Sequence, residues 1–259
     1  MSYKDILVFL DGSPDNEARL DFAVSLAKTL GARLTGVDVS SEKAFEGEWS
    51  DRASMVGELL DSKARASGVV SRFRIADRKS PGWKDFFAHY ADLLVATQPN
   101  RESSGKILPS VPEDVLISAG VPMIVLPHRS RSTRRIQNVV IAWSPSGQAT
   151  RAVHDAMPIL AQAQKVSVFA FDPRSDETDA DIKLLSDHLL AHGITVEVDQ
   201  WPDTGDLSVI EALFASRAME DADMIVAGAY SHSRFRETLL GGATRDLLHQ
   251  FSVPVLVSH

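Results

Sequence analysis

Short apolar runs alternate along the chain with segments of helical periodicity. Residues 4–10 (Lys4-Asp5-Ile6-Leu7-Val8-Phe9-Leu10) form a nearly unbroken apolar run, expected of a strand covered on both faces. Asp11-Gly12-Ser13-Pro14 closes it, and Ser13 or Asp15 suits the first cap of a helix. Ala18, Phe22, Ala23, Leu26, Ala27 and Leu30 then recur at helical spacing, with Gly31 placed to end the helix. Arg33–Val39 reads as a second strand, giving the strand–helix–strand unit of a parallel sheet. Residues 40–53 are polar and irregular. A helix is predicted from about Ser54 to Ala66, a strand at Val69–Ala76, and a helix from about Trp83 to Tyr90. The fourth strand is Ala91–Thr97, followed by a loop over 98–110 and a helix over Glu113–Ala119. The fifth is Val121–Pro127, whose prolines keep it near an edge or at its own ends.

After a basic, Ser-rich linker from His128 to Arg135 the pattern restarts. Asn138–Trp143 repeats Asp5–Leu10, Ala222–Gly228 repeats Ala91–Thr97, and Val253–Val257 repeats Val121–Val125, at offsets between 131 and 133 residues. Matched segments in constant order imply an internal duplication of an α/β unit. The predicted domains are residues 1–128 and 136–259.

The chemistry concentrates between Ala222 and Leu248. Met224–Ala227 is long enough for a buried strand and Gly228 ends it. A polar loop with Ser231, His232, Ser233, Arg234 and Arg236 follows, and Gly241-Gly242 opens a predicted helix through Ala243 and Thr244. A strand, a polar loop and a glycine-initiated helix gather free N–H groups and a positive dipole end, the requirements for holding phosphate. Neither Gly-x-x-x-x-Gly-Lys-[Ser/Thr] nor Gly-x-Gly-x-x-Gly is present.

The spacing instead resembles that of the universal stress protein family, whose nucleotide-binding members carry Gly-x2-Gly-x9-Gly-[Ser/Thr] here. Gly228 and Gly241 match. Ser231 stands at the second glycine and Gly242 at the hydroxyl position, with Thr244 able to supply a hydroxyl two residues on. The first half keeps the other part of the pattern. Asp11, in Leu-Asp-Gly-Ser, is similar to the family's Val-Asp-Gly-Ser, but Thr97 and Asn100 replace the loop glycines. In the second half Trp143-Ser144-Pro145-Ser146 replaces the aspartate motif, leaving Ser144 in its place.

This resemblance implies two tandem, Rossmann-like domains, each a five-stranded parallel sheet of order 3-2-1-4-5, related by a pseudo-twofold. That arrangement is an intramolecular pseudo-dimer, with a homodimer of tandems also open. It also implies a stress-response protein binding ATP with Mg²⁺, or another adenine nucleotide, in its second domain. The contacts would be Gly228, Ser231, His232, Gly241, Gly242, Ala243, Thr244 and Ser144, with Asp11 as the first domain's remnant. The alternative is a tandem stress protein that binds no nucleotide and acts as a protein-interaction module. Slow ATP hydrolysis or autophosphorylation is the most chemistry the resemblance implies.

Composition narrows this further. A hydrophobic content of 44% with 24% charge describes a globular chain with ample core. No cysteine is present, which excludes disulfides and thiolate metal sites. No apolar run approaches the roughly 18 residues of a membrane span and no signal peptide is read at Met1–Leu10, so the expectation is a cytoplasmic protein without a membrane partner. A net charge of −8 opposes non-specific nucleic-acid binding. Arg234, Arg236 and Arg245 nonetheless cluster around the glycine loop. Ser231, His232 and Asp223 are near neighbours in sequence, but no Gly-x-Ser-x-Gly elbow accompanies them, and no catalytic residue is assigned. His188 and His192 share one helix face, yet the sequence specifies no third ligand. They read as surface histidines, and no metal ligand is assigned.

Overall fold

The computed structural model describes residues 2–39, 48–76, 87–98, 106–108, 111–112, 115–128, 135–171, 175–201, 206–229 and 251–259. The chain divides into two compact units, Met1–Arg135 and Ile136–His259.

In the first unit β1 (Asp5–Leu10), α1 (Asn16–Leu30) and β2 (Arg33–Asp38) make the initial βαβ motif. Then come α2 (Glu48–Ser67), β3 (Ser71–Ile75) and β4 (Leu93–Thr97). A short hairpin of β5 (Lys106–Leu108) and β6 (Val111–Pro112), α3 (Val115–Ser118) and β7 (Met123–Leu126) complete it. The main sheet is parallel throughout, in the order β3-β2-β1-β4-β7. The apolar runs explain that order. β4 and β7 are buried along their whole length and β1 from Ile6 on, as strands covered on two faces must be, whereas β3 is half exposed at the edge.

The second unit repeats the plan with β8 (Asn138–Trp143), α4 (Gly147–Leu160), β9 (Lys165–Phe171), α5 (Ser175–Ala191) and β10 (Val196–Trp201). It ends with α6 (Val209–Ala215), β11 (Met224–Gly228) and β12 (Val255–Ser258). Its order is β10-β9-β8-β11-β12, again all parallel. Counting the main-sheet strands described in each unit, both follow 3-2-1-4-5.

One device recurs in both units. Asp92 Oδ2 accepts from the backbone N–H groups of Lys4 and Asp5 at 2.7 and 2.9 Å, stapling the start of β4 to the start of β1. Asp223 Oδ2 does the same for Gln137 and Asn138 at 3.0 and 2.9 Å. The repeated Ala-Asp dipeptide therefore fixes strand register twice over.

Four expectations need correction. The second helix begins at Glu48, six residues before the predicted Ser54, because its inward stripe needs only Ala53, Val56, Leu60 and Ala64, and polar helix formers can precede it. The predicted loop over 98–110 contains β5, too short for its alternation to be seen. The helix predicted over Glu113–Ala119 is a single turn, Val115–Ser118. Of the helix predicted from Trp83 to Tyr90, Ala88–Tyr90 forms a 3₁₀ turn and Trp83–Phe86 lie outside the described residues.

The units differ at the last residue of the strand next to the first. Thr97 ends β4, and Gly228 ends β11. A Cβ on Gly228 would stand 2.5 Å from Ala149 N and 2.7 Å from Gln148 C, both backbone atoms of the first turn of α4. Helix α4 thus rests directly on the strand end, and no flexible side chain is there to give way. Gly228→Ala should therefore destabilise the second unit by about 1–3 kcal/mol through forced backbone displacement. Urea unfolding checks this, and an unchanged midpoint would refute the close packing.

Candidate functional site

Open parallel sheets offer a ligand crevice beyond the carboxyl ends of their strands where the order reverses. In the first unit that point lies between β1 and β4, and the polypeptide fills it from within. Arg19, on the inward stripe of α1, is 1% exposed. Its Nε donates to Thr97 Oγ1 at 2.7 Å. Nη1 donates to Phe9 O at 3.0 Å and Asn16 Oδ1 at 2.8 Å, and lies 3.4 Å from Asp11 Oδ1. Asp11 is itself 3% exposed, and the same Oδ1 accepts from Ser13 N at 3.1 Å and Ser13 Oγ at 2.6 Å. The carboxylate at the strand end is thus turned inward, towards a turn and a buried cation. Burial pushes the Arg19 guanidinium below its ordinary value, opposed by the charge and hydrogen bond of Asp11.

Other groups close the same end. His128 Nδ1, after β7, meets Asp15 Oδ2 at the start of α1 at 2.9 Å. Asp38 is buried at the end of β2, in register with Leu10. Carboxylates at 11 and 15 act on the one guanidinium, and with Asp38 at the end of the neighbouring strand they make this end acidic, a poor setting for phosphate.

The second unit carries none of this polar filling at the matching positions. The residue in register with Trp143 is Ala170 where the first unit has Asp38, Ser144 follows β8 where Asp11 follows β1, and Ala152 stands where Arg19 does. Ser144 is exposed. Helix α4 is capped by Ser146, whose Oγ accepts from Ala149 N at 3.2 Å, and its first turn has no acidic residue, whereas that of α1 carries Glu17. Trp143 is half-buried and donates from Nε1 to Asp181 Oδ2 on α5. The strand pairing brings Gly228 opposite the Trp143 position, one residue before Ser144. Ser231, His232, Gly241, Gly242, Ala243 and Thr244 lie outside the described residues. Asp223 stands at the entry of β11, the opposite end from Gly228, with its carboxylate bonded to backbone amides.

Sequence reasoning missed Arg19, although a signal existed: a cation four residues before Ala23 sits on the apolar stripe that continues through Leu26 and Leu30. Among the described residues Asp11 Oδ2 and Arg19 Nη2 are buried with no partner, so the pair is incompletely satisfied. Arg19→Met should lower stability by about 3–5 kcal/mol, since it strands the Asp11 charge. Asp11→Asn combined with Arg19→Met should lose less than the sum of the two single changes in urea unfolding; strict additivity would show the groups are not coupled.

Comparison with known proteins follows the same lines. The universal stress protein family model matches residues 2–127. Among solved structures, a universal stress protein from Archaeoglobus fulgidus DSM 4304 aligns over 98% of this chain and 97% of its own, with a TM-score of 0.76 and 20% identity. The cytoplasmic domain of a prokaryotic cation chloride cotransporter aligns over 98% and 94%, with a TM-score of 0.59 and 12% identity. At such identities the likeness is one of fold. No curated protein matches the sequence significantly. Among the described residues no helix is long and apolar enough to cross a membrane. Residues 2–127 are thus the part of the chain that matches the universal stress protein family, and the α/β fold is carried in two units.

Proposed function

We propose that the chain is a stress-response protein that binds an adenine nucleotide, ATP with Mg²⁺, in its second unit only. The observation that carries this reading is the contact of Gly228 with the first turn of α4. Close approach there sets a capped helix start, free of acidic residues in its first turn, beside the end of β11. From that end the chain enters the segment holding Ser231, His232, Gly241, Gly242, Ala243 and Thr244. Backbone N–H groups of such a segment, each contributing about 1.5–3 kcal/mol to a charged acceptor, would hold the phosphates. Ser144, exposed past the end of β8, is the side-chain contact assigned to the nucleoside. The first unit is assigned no nucleotide: its Asp11 is bonded to Ser13 and lies against Arg19, and its crevice is filled.

Titration calorimetry with ATP and Mg²⁺ tests this. One site per chain is expected, abolished by Gly241→Val and unaffected by Asp11→Asn. Absence of heat down to millimolar affinity, or loss of binding in the Asp11 variant, would reject the assignment. If the backbone at Ser231 takes a positive φ, Ser231→Gly relieves about 1 kcal/mol and should tighten binding roughly fivefold.

A further inference from the structure

Strand β3 forms one edge of the first unit's sheet, and β10 forms the corresponding edge of the second. Register matches their residues. Arg33 lies opposite Asp5 at the start of β1, as Lys165 lies opposite Asn138 at the start of β8. Two residues on, Thr35 corresponds to Ser167, and their neighbours on the edge strands are Arg72 and Glu197. Arg74 then corresponds to Asp199, two residues further along the same side of the sheet. The two edges therefore carry opposite charge at two successive positions.

A shallow cleft opens on this side of each unit. The first, about 130 Å³, is lined by Arg33, Arg72, Arg74 and Asp5 together with Phe87 and Tyr90. The second, about 180 Å³, is lined by Lys165 and Arg217 with Glu197, Asp199, Glu220 and Asp221. Three guanidinium groups against one carboxylate give the first cleft a formal charge of +2, and four carboxylates against two cations give the second −2.

Only part of this charge is used internally. Arg33 pairs with Asp5, and Lys165 Nζ lies 3.0 Å from Glu197 Oε2. Asp199 accepts from Trp201 Nε1 and from Ala218 N, both at 3.1 Å. Arg72, Arg74, Glu220 and Asp221 are exposed, and among the described residues none of the four forms an ion pair. Apolar surface accompanies them: Tyr90 is 72% exposed in the first cleft and Val198 46% in the second.

The signs of these charges select a partner. The chain carries −8 in total, so two copies repel except where one of them presents a basic surface. Like charges oppose contact of one β3 edge with another, or of one β10 edge with another, whereas the unlike edges attract. Every copy of the chain holds the acidic complement of its own basic edge, at the equivalent place in the same fold. We infer that the basic cleft along β3 of one copy docks on the acidic cleft along β10 of a second copy. Arg72 and Arg74 supply the cations, Glu197, Glu220 and Asp221 the carboxylates, and Tyr90 and Val198 the apolar contact. The two surfaces differ, so the contact is heterologous, and assembly closes into a ring or continues as a chain of copies. Both clefts lie towards the amino ends of the strands, so the contact is independent of nucleotide binding at the carboxyl ends.

Sedimentation velocity of the full-length chain over a range of concentrations tests this. Mass should rise above that of one chain with a Kd on the order of 100 µM at low salt, weakening about tenfold in roughly 0.5 M salt. The double variant Arg72→Glu, Arg74→Glu reverses the charge of the first cleft, and Glu220→Lys, Asp221→Lys reverses that of the second. All four side chains are exposed, so both variants should keep the native melting temperature, and each alone should stay monomeric. Mixed in equal amounts the two should associate again, because each brings the one native surface that the other lacks. A native chain that stays monomeric up to about 1 mM at low salt overturns the proposal, including one whose β3 edge takes up heparin instead. Association that strengthens with salt, that persists in either variant alone, or that the mixture fails to restore overturns it equally.

Discussion

One side-chain position governs the carboxyl end of the sheet in each unit: the residue closing the strand beside the first. Where it has no side chain, at Gly228, the next helix lies on backbone, and small residues such as Ala149 and Ala152 keep it there. Where it is Thr97, a buried hydroxyl has to be satisfied, and Arg19 satisfies it. A buried guanidinium then needs acceptors of its own, which Phe9 O, Asn16 and Asp11 provide. A glycine-to-threonine difference thus propagates into a polar cluster occupying the whole strand end.

That cluster is better understood as an occupant than as a brace. A buried ion pair seldom stabilises a fold more than well-packed apolar groups of the same size, although breaking one is expensive. Here Nη2 and Oδ2 are buried and unpartnered among the described residues, so the electrostatic return is incomplete. What the cluster achieves without reservation is exclusion. It fills the crevice with protein atoms and surrounds the single guanidinium with carboxylates. At the matching described positions of the second unit neither condition is met, which is why the two copies of one fold are assigned different tasks.

The architecture was legible because each central strand declares itself as a continuous apolar run: Ile6–Leu10, Leu93–Ala96, Val139–Ile141 and Met224–Ala227 are all buried. The duplication made each assignment twice. What escaped notice has physical causes. The start of α2 is polar, and a helix needs apolar residues only on the face it buries. The β5–β6 hairpin is too short to show alternation. Arg19 stands on an apolar stripe, where a cation looks like an interruption until its partners, from Phe9 to Thr97, are brought together by folding. The glycines around 241 were legible as a pattern, and Gly228 alone of that pattern falls within the described residues.

Duplication also shows which contacts the fold can spare. Buried pairs remain apolar across the copies: Leu20 and Val153, Leu60 and Leu185, Ala64 and Leu189. Any polar group there would face the penalty of an unsatisfied interior. The freedom to diverge lies at the strand ends, where buried polar groups can satisfy one another, and along the outer line where paired helices meet, which water can reach. Two differences between the units occur in these places. Arg19 and Thr97 against Ala152 and Gly228 is one; the ion pair of Lys63 on α2 with Asp21 on α1, against the His188 and His154 rings on α5 and α4, is the other. In each case the first unit satisfies the position with its own charged side chains, and the second has none of those partners at the matching positions.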